Sequence, residues 1–150
     1  MHRAIELARQ GMEKNEGGPF GCVIVKDGTV IAEGNNRVTS DNDPTAHAEI
    51  VAIRRACENL GEFQLTGCEI YTSCEPCPMC LGAIYWARPN RVFYAGTRID
   101  AAEAGFDDDF IYTELNIDPK LRSIQMIPME RELAKEVFQS WTEKKDKIDY

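Results

Sequence analysis

The apolar positions of this chain change their period along its length, and the changes mark out the elements. Ile5, Leu7, Ala8 and Met12 recur at helical spacing until Gly17-Gly18-Pro19 stops them. Residues 20–25 and 30–33 are short apolar runs joined by Lys26-Asp27-Gly28-Thr29, which predicts a hairpin with Asp-Gly at its centre. Gly34-Asn35-Asn36-Arg37 then opens a polar loop that runs to Pro44. A helix is expected over 46–60, with Ile50, Ile53, Ala56 and Cys57 on its buried face and Gly61 as its stop. Residues 69–73 read as a strand, 80–87 as a helix ended by Pro89, and 91–95 as a strand centred on Val92-Phe93-Tyr94. Small and acidic residues fill 100–109. A last strand is expected at 124–127 and a terminal helix at 131–147, with Leu133, Val137, Phe138 and Trp141 on one face.

The expected element order is therefore αββαβαβ(α)βα. Strands alternate with helices after the hairpin, so the later strands should be parallel. This is an α/β fold, a three-layer α/β/α sandwich built on a five-stranded mixed sheet. At 150 residues the chain fits one domain, and 43% hydrophobic residues are enough to fill its core.

Charge narrows the partners. A net charge of −8 and a pI of about 4.8 repel phosphate backbones, so no nucleic-acid partner is expected. Arg88 and Arg91, or Lys144, Lys145 and Lys147, are the candidate basic patches, and acidic neighbours make the lysines read as a solvated helix face. No signal peptide and no apolar run of about 18 residues is present, so no membrane association is expected and the setting should be cytoplasmic. Cys22 and Cys68 lie in apolar runs as small buried hydrophobes, and Cys57 lies on a predicted helix, which agrees with a reducing compartment.

Against this background one pattern carries chemistry. His47-Ala48-Glu49 and Pro76-Cys77-Pro78-Met79-Cys80 form H-x-E and P-C-x-x-C, the pattern of zinc-dependent nucleobase deaminases. Zinc takes nitrogen and sulfur ligands in a tetrahedron, and a catalytic zinc keeps one position open for water. His47, Cys77 and Cys80 would be three ligands, and Glu49 a general base beside them. Pro76 suits a helix start, which puts Cys77 and Cys80 at i and i+3 on one face near positive helix-end potential that favours thiolate. His47 and Glu49 are i and i+2, a spacing that diverges in mid-helix and can converge only at an opening turn. Two other readings remain. Cys74 precedes Cys77 by three, so a closed Cys3His structural zinc site is open to the chain, and a bare C-x-x-C can be a redox pair. Neither uses Glu49. Phe20 reads as core or as an aromatic at a pocket rim, Asn36 as a turn residue or a ligand-facing amide, and Trp86 as core or substrate contact.

These motifs, with Gly17-Gly18-Pro19-Phe20-Gly21, Asn42-Asp43-Pro44-Thr45 and the segment Glu103-Ala104-Gly105-Phe106-Asp107-Asp108, resemble the cytidine deaminase-like superfamily over essentially the whole chain. Within it the chain is similar to the bacterial guanine deaminases, and the Glu-Ala-Gly-Phe-Asp-Asp segment is what selects that branch. The resemblance implies hydrolysis of guanine to xanthine and ammonia in purine catabolism, with one Zn2+ per subunit held by His47, Cys77 and Cys80 and with Glu49 as proton shuttle. It implies that Asn36 hydrogen-bonds the base, that Phe20 and Trp86 pack on its ring, and that Ala46 belongs to the same substrate-binding set. An aspartate of the acidic segment, Asp108 in preference to Asp107, would recognise the amino group or carry its proton. The tail from about 131 to 150 would form a lid or a dimer contact, and Tyr150 looks like the family's C-terminal lid residue, which can come from the partner chain of a homodimer. A purine base is the implied small-molecule partner. Cytosine or another small aminated ring, and adenosine in tRNA, are the alternative substrates.

Overall fold

The computed structural model describes residues 1–106 and 108–150, and Asp107 lies outside the described residues. Helix α1 (His2–Glu13) leads to strands β1 (Gly21–Lys26) and β2 (Thr29–Asn35). A one-turn helix α2 (Val38–Asp41) and the long α3 (Ala48–Leu60) follow, then β3 (Cys68–Cys74), α4 (Pro78–Ala87) and β4 (Arg91–Gly96). The acidic segment forms α5 (Arg98–Glu103) and the start of α6 (Asp109–Asn116), and α7 (Arg131–Glu143) is the last helix. The chain divides into two compact units, Met1–Asp109 and Phe110–Tyr150. The first unit contains the whole sheet.

The sheet order is β2-β1-β3-β4. The β1–β2 hairpin is antiparallel, β1 and β3 are antiparallel, and β3 and β4 are parallel, as the alternation of strand and helix requires. Asp27 and Gly28 both have positive φ at the hairpin tip, which is the primed turn that matches strand twist.

Register then sorts the side chains. Cys22 stands opposite Gly34 and Thr72, and Ile24 opposite Ala32 and Ile70, so these residues share one face of the sheet. That face packs with Ala48, Ala52 and Ala56 of α3 and Ile84 and Ala87 of α4 to form the buried core. The opposite face receives α1, where a Cβ on Gly21 would stand 2.1 Å from the Ala4 carbonyl oxygen. Helices thus cover both sides of a mixed sheet. The approach of α3 is equally close, because a Cβ on Gly34 would meet the Ala48 carbonyl oxygen at 2.4 Å and the Ala52 nitrogen at 2.8 Å. Glycine at position 34 is what lets the backbone of α3 lie directly on β2.

The fifth strand expected at 124–127 is not formed. Residue 124 lies in a bend and 125–127 have no regular structure, so the sheet has four strands among the described residues. An apolar run becomes a strand only where a neighbouring edge takes up its N–H and C=O groups. Ile124, Met126 and Ile127 are exposed instead, and Pro128 follows them. Boundaries shift elsewhere for a related reason. The helices expected from 46 and from the Pro76-Cys77 turn begin at Ala48 and Pro78, because His47 and Cys77 are N-caps with extended backbone. The terminal helix stops at Glu143, before the expected 147. Among the described residues no helix is long and apolar enough to cross a membrane.

Gly34→Ala is expected to destabilise the protein by roughly 1–3 kcal/mol, because neither the α3 backbone nor β2 can yield without moving the other. Gly82→Ala in α4, where the new methyl meets nothing within 4 Å, is expected to raise stability by about 0.5–1 kcal/mol. Urea midpoints of the two variants check the opposite signs.

Candidate functional site

Three chain segments deliver reactive side chains to one end of the sheet, where β3 finishes. The first is the loop before α3. Asp43 accepts hydrogen bonds from the Thr45 N–H (2.8 Å) and hydroxyl (2.7 Å), and the buried Ala46 carbonyl accepts the Arg37 N–H at 2.9 Å. This tight turn presents His47 as the N-cap of α3, with φ −67° and ψ 155°. Glu49 is then in the first helical turn. The half-helical cap therefore reconciles the i, i+2 spacing, since His47 leaves the helix direction just before Glu49 adopts it. The second segment is the turn after β3, which makes Cys77 the N-cap of α4 and Pro78 its first residue, with Cys80 one turn on.

His47 Nδ1 lies 3.5 Å from the Sγ of Cys77 and 3.5 Å from the Sγ of Cys80. The three donor atoms all fall within 4.8 Å of one another. A zinc tetrahedron with Zn–S of about 2.3 Å and Zn–N of about 2.05 Å has an N···S edge of about 3.6 Å. The donor set thus has the chemistry and the spacing of a zinc site with one position left open. Cys74 does not join it among the described residues. Its thiol, half-buried, donates to the Thr97 carbonyl at 3.5 Å. The closed Cys3His reading is not what this arrangement favours.

The electrostatics agree. A hydrogen bond from Cys80, with His47 as a further partner, holds the Cys77 thiol far below the ordinary range, at about 4. Cys80, which supplies that hydrogen bond and is also buried beside Glu49, is pushed well up, so it keeps its proton until a cation replaces it. Burial raises the Glu49 carboxyl above the usual carboxylate range. Its Oε1 accepts the Thr72 hydroxyl at 3.0 Å, and its Oε2 lies 3.4 Å from the Cys80 Sγ. His47 is shifted up, first by its bond to Cys77 and also by the charges of Glu49 and Asp108. Asp108 therefore lies within electrostatic reach of the cluster.

The third segment is the turn around Asn35-Asn36. Asn36 is buried, and its Oδ1 accepts the N–H groups of Gly18 (3.3 Å) and Val38 (3.2 Å). Two backbone donors on one oxygen fix the amide orientation, so what Asn36 has to offer a ligand is its N–H2. Phe20 is partly buried against the core, as its core reading expects, and its ring meets Phe106 edge-on at 4.9 Å. Trp86 is different. It is 63% exposed, which corrects the core reading: α4 turns that face away from the packed side. Tyr150 belongs to the second unit and is exposed.

The chain matches the cytidine and deoxycytidylate deaminase zinc-binding region over residues 1–96. It belongs to this deaminase family. The matched region contains His47, Glu49, Cys77 and Cys80 and stops short of Asp108. Among curated proteins the chain is 56% identical over 150 residues to guanine deaminase of Bacillus subtilis, covering 100% of this chain and 96% of that one. The solved structure of a Bacillus subtilis guanine deaminase superposes with a TM-score of 0.96, at 56% identity, over 99% of this chain and 95% of that one. A structure solved with 2,6-diaminopurine bound is 35% identical with a TM-score of 0.68, over 71% of this chain and 60% of that one. A tRNA-specific adenosine deaminase of Agrobacterium fabrum is 49% identical over 94 residues, covering 63% of this chain and 61% of that one.

Two contacts of the site had no signal in the sequence. Thr72 reads there only as a strand residue, and Glu75, which accepts the Arg98 N–H at 3.0 Å and so ties the start of α5 to the cysteine turn, reads only as a loop acid. Both depend on pairings that register and chain return create.

Cys80→Ala is expected to abolish metal retention, while Cys74→Ala keeps the full metal content; elemental analysis of the purified variants distinguishes them. In metal-free protein Cys77 is thiolate across the neutral range, because a depressed pKa leaves the group deprotonated at every pH above it. Its alkylation by iodoacetamide should therefore proceed at nearly the same rate at pH 6 and pH 8, where an ordinary thiol accelerates by roughly two orders of magnitude.

Proposed function

We propose that the chain hydrolyses guanine to xanthine and ammonia. What carries this reading is end-to-end likeness to a guanine deaminase in a chain whose buried Glu49 carboxylate stands at the His47, Cys77 and Cys80 donor set. These three residues would hold one Zn2+ per subunit, which when bound supplies Lewis-acid activation of a water, lowering its pKa from about 16 towards about 7.

Glu49 takes a proton from the attacking water and gives it to the ring nitrogen beside the amine-bearing carbon. Burial raises the carboxyl above its ordinary value, which makes it a better proton acceptor than an exposed carboxylate. The new C–O bond forms at that carbon, the C–N bond to the exocyclic amine breaks, and the amine leaves as ammonia after protonation. Asn36 donates its amide N–H2 to an acceptor on the base. Phe20 and Trp86 pack on the ring and Ala46 belongs to the same substrate-binding set, for which the support is the resemblance. Asp108 recognises the amino group or carries its proton, and its charge at His47 supports that location. For Asp107 and Tyr150 the support is the resemblance alone, as it is for residues 131–150 acting as a lid or dimer contact on a single deaminase domain.

A homodimer in a reducing, cytoplasmic setting accompanies this reading. Leu81, Tyr85 and Trp86 of α4 and Tyr94 of β4 are exposed aromatic and aliphatic side chains that a second chain would cover. All six cysteines are free.

Glu49→Gln is expected to lower kcat for xanthine formation by roughly 10²–10⁴-fold while the zinc content stays at the wild-type level. Retention of more than a tenth of wild-type turnover removes Glu49 from the role. Asp108→Asn is expected to lower kcat/KM for guanine with zinc unchanged. Light scattering should give the mass of two chains.

A further inference from the structure

We propose that Thr72 is the positioning residue for Glu49: its hydroxyl pins one carboxylate oxygen so that the other alone exchanges protons. The inference rests on the deaminase reading above and adds a residue to it.

Thr72 is 1% exposed and lies on β3, the strand held on both sides, with Cys22 of β1 and Tyr94 of β4 as its paired neighbours. Its backbone is thus hydrogen-bonded into the sheet from both sides. Its side chain points to the face on which α3 and α4 pack, and its hydroxyl donates to Glu49 Oε1 at 3.0 Å. A hydroxyl has one proton to give, and here it goes to a carboxylate, so the bond is charge-assisted and directional. Glu49 itself is 6% exposed, and the long side chain starts from the first turn of a helix. The carboxylate also takes a hydrogen bond from its own backbone N–H, and its last torsion is of the broad sp³–sp² kind. The Thr72 bond adds the anchor that comes from the rigidly paired strand, outside the helix that carries Glu49. It leaves Oε2, on the Cys80 side, as the oxygen that faces the donor cluster. A proton shuttle that must accept from water and deliver to a ring nitrogen gains from one fixed basic oxygen, because small misplacements of a reacting group cost large factors in rate.

The test compares Thr72→Val, which keeps the shape and removes the hydroxyl, with Thr72→Ser, which keeps the hydroxyl and removes the methyl. Steady-state kinetics with guanine are read beside zinc content and thermal midpoint. Thr72→Val should lose roughly 10–100-fold in kcat with KM within about twofold and full zinc, and Thr72→Ser should stay within about threefold of wild type. If Thr72→Val keeps wild-type kcat, or if Thr72→Ser falls as far as Thr72→Val, the hydroxyl has no positioning role and the proposal is overturned. Loss of zinc in parallel with kcat in Thr72→Val also overturns it, since the strand would then be serving the donor cluster. Wild-type protein that releases no ammonia from guanine fails at the earlier step and takes this proposal with it, whereas an active wild type with an unaffected Thr72→Val contradicts the Thr72 role alone.

Discussion

Three groups able to carry negative charge, Glu49, Cys77 and Cys80, share a small, partly buried volume with one imidazole. That crowding is the constraint on which the site depends. Without a cation the cluster divides its protons unevenly: Cys77 ionises early, Cys80 holds its proton, and Glu49 is pushed up. The Cys77–Cys80 hydrogen bond is the first cause of both thiol shifts, and burial is the cause of the Glu49 shift. Two helix N-termini converge on the same point, α3 behind His47 and α4 behind Cys77, and their exposed N–H ends add positive potential where the thiolates must form.

The sheet exists, from this viewpoint, to bring two helix starts together. Glycines at 21 and 34 allow α1 and α3 to lie against β1 and β2 at backbone distance, one on each face. Parallel pairing of β3 with β4 places α4 on the same face as α3, so the cap residues of both helices arrive at the end where β3 finishes. Ties at that end are mostly backbone to side chain. Asn36 gathers the Gly18 and Val38 N–H groups, Ser73 accepts the Gly21 N–H, and Glu75 accepts that of Arg98. Each fixes a loop that carries a candidate substrate contact.

Much of this was legible in the sequence because its signals are local. The hairpin was marked by Asp-Gly, the α3 stop by Gly61, and the donor set by a motif whose spacing reflects coordination geometry. The buried state of Cys22 and Cys68 followed from their apolar neighbours. What was not legible depends on distant partners. The segment 124–127 has strand composition but is paired with no strand among the described residues, so composition alone misassigned it. Trp86 was weighed as core because aromatic residues usually bury, but which face of α4 is turned inward is set by β3 and β4. Thr72 could not be singled out, because a threonine in a strand gives no hint that a glutamate 23 positions earlier will be opposite its hydroxyl.

The central claim, that this donor cluster and its carboxylate serve a free purine base, is tested most directly by ammonia release from a panel of substrates by zinc-loaded protein. Guanine, cytosine, adenine, cytidine and a tRNA bearing adenosine in its anticodon loop make up the panel. Rapid release from guanine with little from the others is the expected result. Comparable or greater release from the tRNA or from cytosine, with guanine inert, would contradict it.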